Sequence, residues 1–223
     1  MISFKLNENL FIRDPLTSEL GERMISKSIQ LIDKMGFEAF TFKKLAEEID
    51  STEASVYRYF ENKHRLLVYL IDWYWTWIGF RIDFKTSNIQ DPRARLRVCL
   101  RVLTEESEPD PGFPSFDEAA LQRIVVSEFE KTYLTKNVDD DNREGLFLPY
   151  KSICTKVASV VTEINASYPF ARTLVSTLLL SITHQLYYAQ HLPSLTEIKF
   201  SPKRHRRKLY DFVEDIVFKT IEN

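Results

Sequence analysis

Apolar side chains recur at intervals of three and four residues along most of this chain of 223 residues. One run places Leu66, Leu70, Trp73 and Trp77 on the same side of a helix. The chain has only five glycines and nine prolines, whereas sheets with many strands usually need more residues that form turns. Periodicity and composition together predict an all-α fold of about nine helices.

Interruptions of this pattern predict three regions along the chain. Residues 1–17 form an N-terminal arm without a clear helical repeat, and this arm is expected to be poorly determined. Residues 18–66 form a small domain, and residues 67–223 form a larger helical domain. A long helix that begins at Lys63, after Asn62 as its cap, is expected to bridge the two domains.

The small domain contains the signals of two short helices joined by a tight turn. Gly36 follows the first helix, at a position where left-handed backbone often ends a helix. Thr41 and Thr52 can each cap a short helix, and Asp50 can adopt left-handed geometry in the turn between these helices. Such a pair, braced by a preceding helix, is a helix-turn-helix, which places one helix in the major groove of DNA.

Net charge gives no support for nucleic-acid binding, because 30 Lys and Arg nearly balance 32 Asp and Glu. Residues 18–66 contain eight basic and nine acidic side chains, so any contact with DNA must depend on local placement. The N-terminus lacks a signal-peptide pattern, and polar residues interrupt the apolar runs 66–84 and 174–192. Two distant cysteines are typical of thiols in a reducing compartment. We therefore expect a cytoplasmic protein with no membrane partner.

A set of residues at fixed spacings identifies the small domain more closely. The set comprises Gly36-Phe37, Thr41, Leu45-Ala46, Val56-Tyr57, Phe60, Lys63 and Leu66-Leu67. With these residues, segment 22–67 resembles the DNA-binding domain of the TetR family of transcription regulators. Where that family usually has Gly-Val-Ser at the turn, this chain has Asp50-Ser51-Thr52. The turn is therefore expected to form without a glycine.

The resemblance implies which side chains contact DNA. A lysine on the second helix reaches a guanine edge or a phosphate, and short side chains at the start of the recognition helix approach base edges. Glu53 there can accept a hydrogen bond from cytosine N4. Two tyrosines offer hydroxyls to phosphates, with packing inside the domain as their alternative, and a lysine opens the fourth helix beside its dipole. The predicted contact residues are Lys43, Thr52, Glu53, Ala54, Ser55, Tyr57, Tyr59 and Lys63.

The remaining basic and apolar side chains of the small domain receive other interpretations. Three basic residues, Lys44, Arg58 and Arg65, are interpreted as solvated charges. The apolar residues that face the first helix are assigned to the core of the domain: Leu45, Ala46, Ile49, Val56 and Phe60.

The larger domain is rich in aromatic residues, which predict an apolar pocket for a small apolar or aromatic effector. Core packing is the alternative for each of these residues taken singly. The predicted pocket residues are Trp73, Trp77, Phe80, Phe113, Phe116, Phe129, Tyr133 and Tyr150.

The resemblance also implies a homodimer in which the last two helices of each subunit pair with those of the other. Two recognition helices then enter successive major grooves, so the operator is a near-palindrome. The predicted interface residues are Leu174, Leu178, Ile182, Gln185, Leu209, Phe212, Val213, Ile216 and Val217.

These observations predict a transcription regulator, a repressor that its effector releases from operator DNA. No catalytic residue, metal or cofactor is expected, because the chain lacks nucleotide-binding and hydrolase motifs. Two alternatives stay open. One is a helical protein-interaction module without sequence-specific DNA binding, for which the basic run 203–208 could meet an anionic partner. The other is a helical metal enzyme, although Glu61 and His64 form the only Glu-x-x-His pair.

Overall fold

The computed structural model describes residues 4–107, 116–200 and 205–222. Within these residues the chain forms ten α-helices and no β-strand, which confirms the predicted all-α class. Phe113 and residues 203–204 of the basic run lie outside the described residues. The helices are α1 (Glu19–Ala39), α2 (Phe42–Glu48), α3 (Glu53–Tyr57), α4 (Lys63–Thr86), α5 (Pro92–Thr104), α6 (Glu118–Tyr133), α7 (Val138–Arg143), α8 (Leu148–Ile164), α9 (Ala171–His191) and α10 (His205–Glu222).

The chain divides into two compact units. Unit 1 comprises Met1–Tyr74 and Ser107–Leu148, and unit 2 comprises Trp75–Glu106 and Pro149–Asn223. The helix-turn-helix segment therefore shares a unit with α6 and α7, while α4 contributes residues to both units. The domain boundary after residue 66 stays a prediction.

The N-terminal segment differs from the poorly determined arm that the sequence predicted. Residues 4–17 contain two 3-10 turns, Glu8–Leu10 and Pro15–Thr17. Leu10 is fully buried, and the ring of Phe11 lies edge-on to that of Tyr69 with 6.1 Å between centroids. Turns of three residues are too short to show a helical repeat, so only their burial reveals this order.

Gly36 interrupts α1 at a positive φ, although its ψ differs from that of the left-handed helix end that the sequence predicted. Its φ of 76° and ψ of 156° lie in a region that is open essentially to glycine alone. Phe37, directly after it, turns inward and is buried. Lys131 of α6 pairs with both Glu38 and Glu128, which holds α6 against this end of α1.

The turn between α2 and α3 forms without glycine, as predicted. Asp50 has a φ of 50°, the one positive φ of a non-glycine residue among those described. The N–H of Ser51 donates to the carbonyl of Ala46 at 2.9 Å. The N–H of Asp50 donates to the carbonyl of Glu47 at 3.4 Å. This pair of bonds is a Schellman motif, in which glycine usually occupies the left-handed position.

We expect replacement of Asp50 by glycine to raise the free energy of unfolding by about 0.5–1 kcal/mol, because glycine adopts left-handed backbone without the steric cost of a Cβ. Equilibrium denaturation in urea measures the change. Ser51→Gly is the matched control, because the φ of Ser51 is not positive and glycine therefore relieves no steric cost there. Equal unfolding free energies for the two variants would contradict the prediction.

The sequence missed the short helix α7. The apolar repeat of the sequence predicts one continuous helix over residues 142–167, but α7 ends at Arg143 and α8 begins at Leu148. Gly145 lies between them with a φ of 78°, which breaks the helical path. The apolar repeat continues across this break and therefore concealed it.

Unit 2 is built on α5, α9 and α10, and α10 packs along both of the others. Leu209 and Val213 of α10 are fully buried within the single chain. Around this core, Arg97 of α5 pairs with Glu214 of α10 at 2.8 Å, and Arg95 pairs with Glu163 of α8.

None of the described helices combines the length and the apolar character that a membrane span requires.

One acidic residue in α4 is deeply buried: Asp72 is 1% exposed. Burial raises the pKa of its carboxyl to about 8, so this carboxyl is mostly protonated at neutral pH.

Candidate nucleic-acid interface

The N-terminal turn of α3 faces solvent, as a reading helix requires. Thr52 caps it, since its Oγ1 accepts the N–H of Ser55 at 3.2 Å. Thr52, Glu53 and Ala54 are exposed and Ser55 is half-buried. On the other side of the helix, Val56 is fully buried in the interior of unit 1. The four predicted base-reading residues therefore lie together on one accessible edge, and their contact with DNA stays a prediction.

Lys43 and Tyr57 are the other predicted contact residues with exposed side chains. Lys43 of α2 is exposed and forms no ion pair among the described residues. The Tyr57 ring lies edge-on to Phe42 with centroids 5.0 Å apart, yet 48% of the residue is exposed. Packing thus orients the ring while leaving its surface accessible, which suits the predicted phosphate contact.

Tyr59 does not lie where a phosphate contact requires it. The residue is 3% exposed, and its hydroxyl lies 2.7 Å from Ser18 Oγ, at the N-terminus of α1. Its carbonyl accepts the N–H of Ile12 at 2.8 Å. The structure therefore corrects this prediction: Tyr59 belongs to the interior of unit 1, and the packing alternative applies to it.

The ammonium group of Lys63 also has hydrogen-bond partners within the protein. Its Nζ donates to the carbonyls of Phe37, Glu38 and Phe40 at 3.1, 3.3 and 3.2 Å. The same ammonium lies 4.6 Å from the centre of the Phe37 ring. An ammonium has three hydrogens, and these acceptors match all of them. The structure thus places Lys63 as a cap for the end of α1, and its predicted role as a phosphate contact stays a prediction.

Two of the residues interpreted as solvated charges have structural partners instead. Lys44 Nζ donates to the carbonyl of Ala39 at 2.7 Å. Arg65 pairs with Glu144 at 2.9 Å and with Asp141 at 3.4 Å. Asp141 also lies 3.4 Å from His64 Nε2, so this cluster joins the start of α4 to α7. Asp141 and Glu144 lie more than 70 residues from His64 and Arg65 in the chain, beyond the reach of any local sequence pattern.

The aromatic residues predicted for an effector pocket divide between the two units. In unit 1, Trp73 and Phe116 stack with centroids 3.8 Å apart, and Phe129 lies 4.6 Å from Tyr133. In unit 2, Trp77 lies beneath the Arg81 guanidinium, Phe80 stacks on Phe84, and Tyr150 contacts Trp75. Trp73 and Trp77 are fully buried, which agrees with the core-packing alternative for these two. The pocket itself stays a prediction.

A cavity that the sequence did not indicate lies in unit 1 between residues of the N-terminal segment and Tyr69. Its volume of about 430 Å³ is within the range of small-molecule sites. Phe4 at its edge contacts Trp73, one of the predicted pocket residues, with centroids 5.8 Å apart. The cavity is lined by Phe4, Lys5, Leu6, Glu8, Phe11, Ile12, Asp14, Leu16 and Tyr69.

The predicted dimer residues of α9 and α10 fall into two groups. Five are buried inside the single chain and leave little surface for a partner: Leu178, Ile182, Leu209, Val213 and Val217. Four retain accessible surface: Leu174, Gln185, Phe212 and Ile216. Phe212 is the most notable of these, because 40% of this large apolar residue is exposed. The structure thus assigns the first group to the core of unit 2, and an interface built on the second group stays a prediction.

Comparison with known sequences extends the resemblance. Residues 25–70 match the family model of bacterial regulatory proteins, tetR family. The nucleoid occlusion factor SlmA of Photobacterium profundum is 27% identical over 119 residues, which cover 49% of this chain and 61% of that protein. SlmA of Escherichia coli K12 is 31% identical over 118 residues, which cover 49% and 60%. The chain thus spans about three-fifths of the length of these curated relatives.

Solved structures share the fold over most of the chain. A transcriptional regulator from Rhodococcus sp. Rha1 has a TM-score of 0.64 at 15% identity, covering 91% of this chain and 97% of that one. AibR, solved with isovaleryl coenzyme A and operator DNA, has a TM-score of 0.61 at 16% identity, covering 90% and 98%. The ketosteroid transcriptional regulator KstR2 of Mycobacterium tuberculosis has a TM-score of 0.59 at 14% identity, covering 91% and 94%. Residues 25–70 are thus similar to bacterial regulatory proteins of the tetR family, and the chain shares its all-helical fold with solved regulators.

Proposed function

We propose that this chain is a DNA-binding transcription regulator without enzymatic activity. The observation that carries the proposal is the exposed, Thr52-capped N-terminal turn of α3 inside a domain of the TetR family. Lys43 and Tyr57, the other exposed residues of the predicted contact set, supply a cation and a hydroxyl. Short side chains at the turn allow close approach to base edges, and Glu53 favours cytosine through its N4 amino group.

We further propose that the regulator acts as a homodimer and represses transcription until a small molecule releases it. Two copies are needed because each module offers few contacts, and specific sites usually span two successive major grooves. The proposed contact surface consists of the predicted interface residues that keep accessible surface: Leu174, Gln185, Phe212 and Ile216. The complex of AibR with an acyl coenzyme A and operator DNA supports an effector of partly apolar character.

Selection of duplexes from a random library with the full chain tests DNA recognition. We expect the recovered sequences to contain a near-palindrome. If no duplex is preferred over random competitor at low salt, the proposed function is overturned.

Lys43→Ala should weaken binding to the selected duplex by about tenfold or more, because one good base contact contributes about 1–3 kcal/mol of discrimination. Fluorescence anisotropy with a labelled duplex measures the affinity. Lys85→Ala is the matched control, since Lys85 lies at the end of α4 in unit 2 and pairs with Glu105. Equal affinities of the two variants would show that Lys43 does not contact the operator.

A second candidate function comes from the curated relatives, which are named nucleoid occlusion factors. A strain that lacks the gene for this protein distinguishes the two candidate functions. Changed transcription beside the selected sites supports the regulator, whereas displaced division sites with unchanged transcripts support nucleoid occlusion.

A further inference from the structure

The N-terminal segment fixes one arginine beside the end of α3. Arg13 lies between the two 3-10 turns of this segment. The backbone before it is anchored, because the N–H of Ile12 donates to the carbonyl of Tyr59 at 2.8 Å. The backbone after it is anchored as well, because Asp14 Oδ1 accepts the N–H of Leu16 at 2.9 Å. The position of Arg13 is therefore set on both sides.

The side chain of Arg13 is oriented but remains accessible. Its guanidinium carbon lies 5.3 Å from the centre of the Tyr59 ring, within the range of a cation–π contact. The residue is exposed and forms no ion pair among the described residues. Stacking restricts the rotamers of the arginine before any partner arrives, so binding a partner costs less side-chain entropy.

Several basic residues of the helix-turn-helix segment already have partners within the protein. Lys44 and Lys63 donate to carbonyls, while Lys27 and Arg65 pair with carboxylates. The hydroxyl of Tyr59, which the sequence assigned to a phosphate, is bound to Ser18. Affinity for DNA depends on phosphates neutralised by Lys and Arg, so the exposed basic residues close to α3, Arg13 among them, are the ones that can contribute.

We propose that Arg13 binds a DNA phosphate beside the C-terminal end of α3, at the place predicted for Tyr59. A guanidinium can donate two parallel hydrogen bonds to one phosphate, which fixes the register of the protein on the duplex without reading sequence. This inference rests on the proposed DNA-binding function. It also gives the N-terminal segment a role that its sequence did not reveal.

The salt dependence of binding tests the proposal directly. The probes are the selected duplex and a mixed-sequence duplex of about 30 base pairs, measured by anisotropy between about 50 and 200 mM salt. Loss of one phosphate contact per subunit should reduce the slope of log affinity against log salt by about 0.9, or about 1.8 for a dimer. We expect this reduction for Arg13→Gln on both probes, and a slope near that of the wild type for Arg13→Lys.

Lys5→Gln is the matched control, because it removes the same charge from the same segment, where Lys5 pairs with Glu8. An unchanged slope for Arg13→Gln, or an equal reduction for Lys5→Gln, overturns the proposal while leaving DNA binding intact. Failure of the wild-type chain to bind either probe refutes the proposed function instead. Circular dichroism melts of each variant check that the overall fold and its stability are retained.

Discussion

Replacing Gly21 with alanine should lower the free energy of unfolding by about 2–3 kcal/mol, a typical cost of overpacking. A Cβ at this position would lie 2.1 Å from the carbonyl oxygen of Pro15 and 2.7 Å from its carbonyl carbon. Both atoms belong to the backbone of the second 3-10 turn, which cannot rotate away as a flexible side chain would. The N-terminal segment would have to shift from α1, and the burial of Leu10 and the bond of Ile12 to Tyr59 would be weakened.

Gly79→Ala is the matched control for this prediction. A Cβ there would meet only the end of the Ile153 side chain, at 3.2 Å, and a small rotation relieves the contact. Alanine also gains about 1 kcal/mol of helix propensity over glycine in the interior of α4. Urea denaturation of both variants should show a clear loss for Gly21→Ala and little change or a gain for Gly79→Ala. Similar unfolding free energies for Gly21→Ala and Gly79→Ala would contradict the prediction, because the backbone around Pro15 would then shift without cost.

Lys63→Met should also lower the free energy of unfolding by about 2–3 kcal/mol, because hydrogen bonds to charged groups contribute about 1.5–3 kcal/mol and several carbonyls lose their donor together. Methionine keeps an unbranched stem of similar length but has no hydrogen to donate. The carbonyls of Phe37, Glu38 and Phe40 would then face a thioether at the end of α1. Urea denaturation at equilibrium measures the loss.

Lys43→Met provides the comparison, since Lys43 is exposed and surface substitutions usually change stability by less than about 0.5 kcal/mol. The two variants also separate the structural role of Lys63 from the phosphate contact that the sequence predicted. A Lys63→Met protein of normal stability whose operator binding loses salt dependence would support the phosphate role and contradict the cap.

Local signals in the sequence predicted the backbone of the helix-turn-helix correctly. Thr52 caps α3 and Asp50 takes the left-handed position, because both features depend on residues within one turn of each other. The direction of a side chain depends on more distant partners. Tyr57 and Tyr59 stand two residues apart with the same chemistry, yet Tyr59 turns inward to a serine 41 residues earlier in the chain.

The partners of the basic residues could not be predicted from the sequence for the same reason. Whether a lysine faces solvent or caps a helix depends on where carbonyls come to lie, and Lys63 meets carbonyls 23 to 26 residues away. Charge counts therefore overstated the number of cations available to DNA. The 3-10 turns at the N-terminus were equally invisible, because their order comes from Leu10 and Phe11 reaching a core formed much later in the chain.

The discontinuous make-up of unit 1 limits how this protein can be re-engineered. α6 lies along α1, where Arg123 pairs with Asp33 at 2.8 Å and Glu128 accepts the N–H of Phe37 at 3.3 Å. A fragment cut after Tyr74 would lack these partners and would expose the face of α1 that α6 covers. Transplanting the DNA-reading half onto a foreign sensor therefore calls for a chimera that carries α6 with it, and a simple N-terminal swap would yield an unstable hybrid.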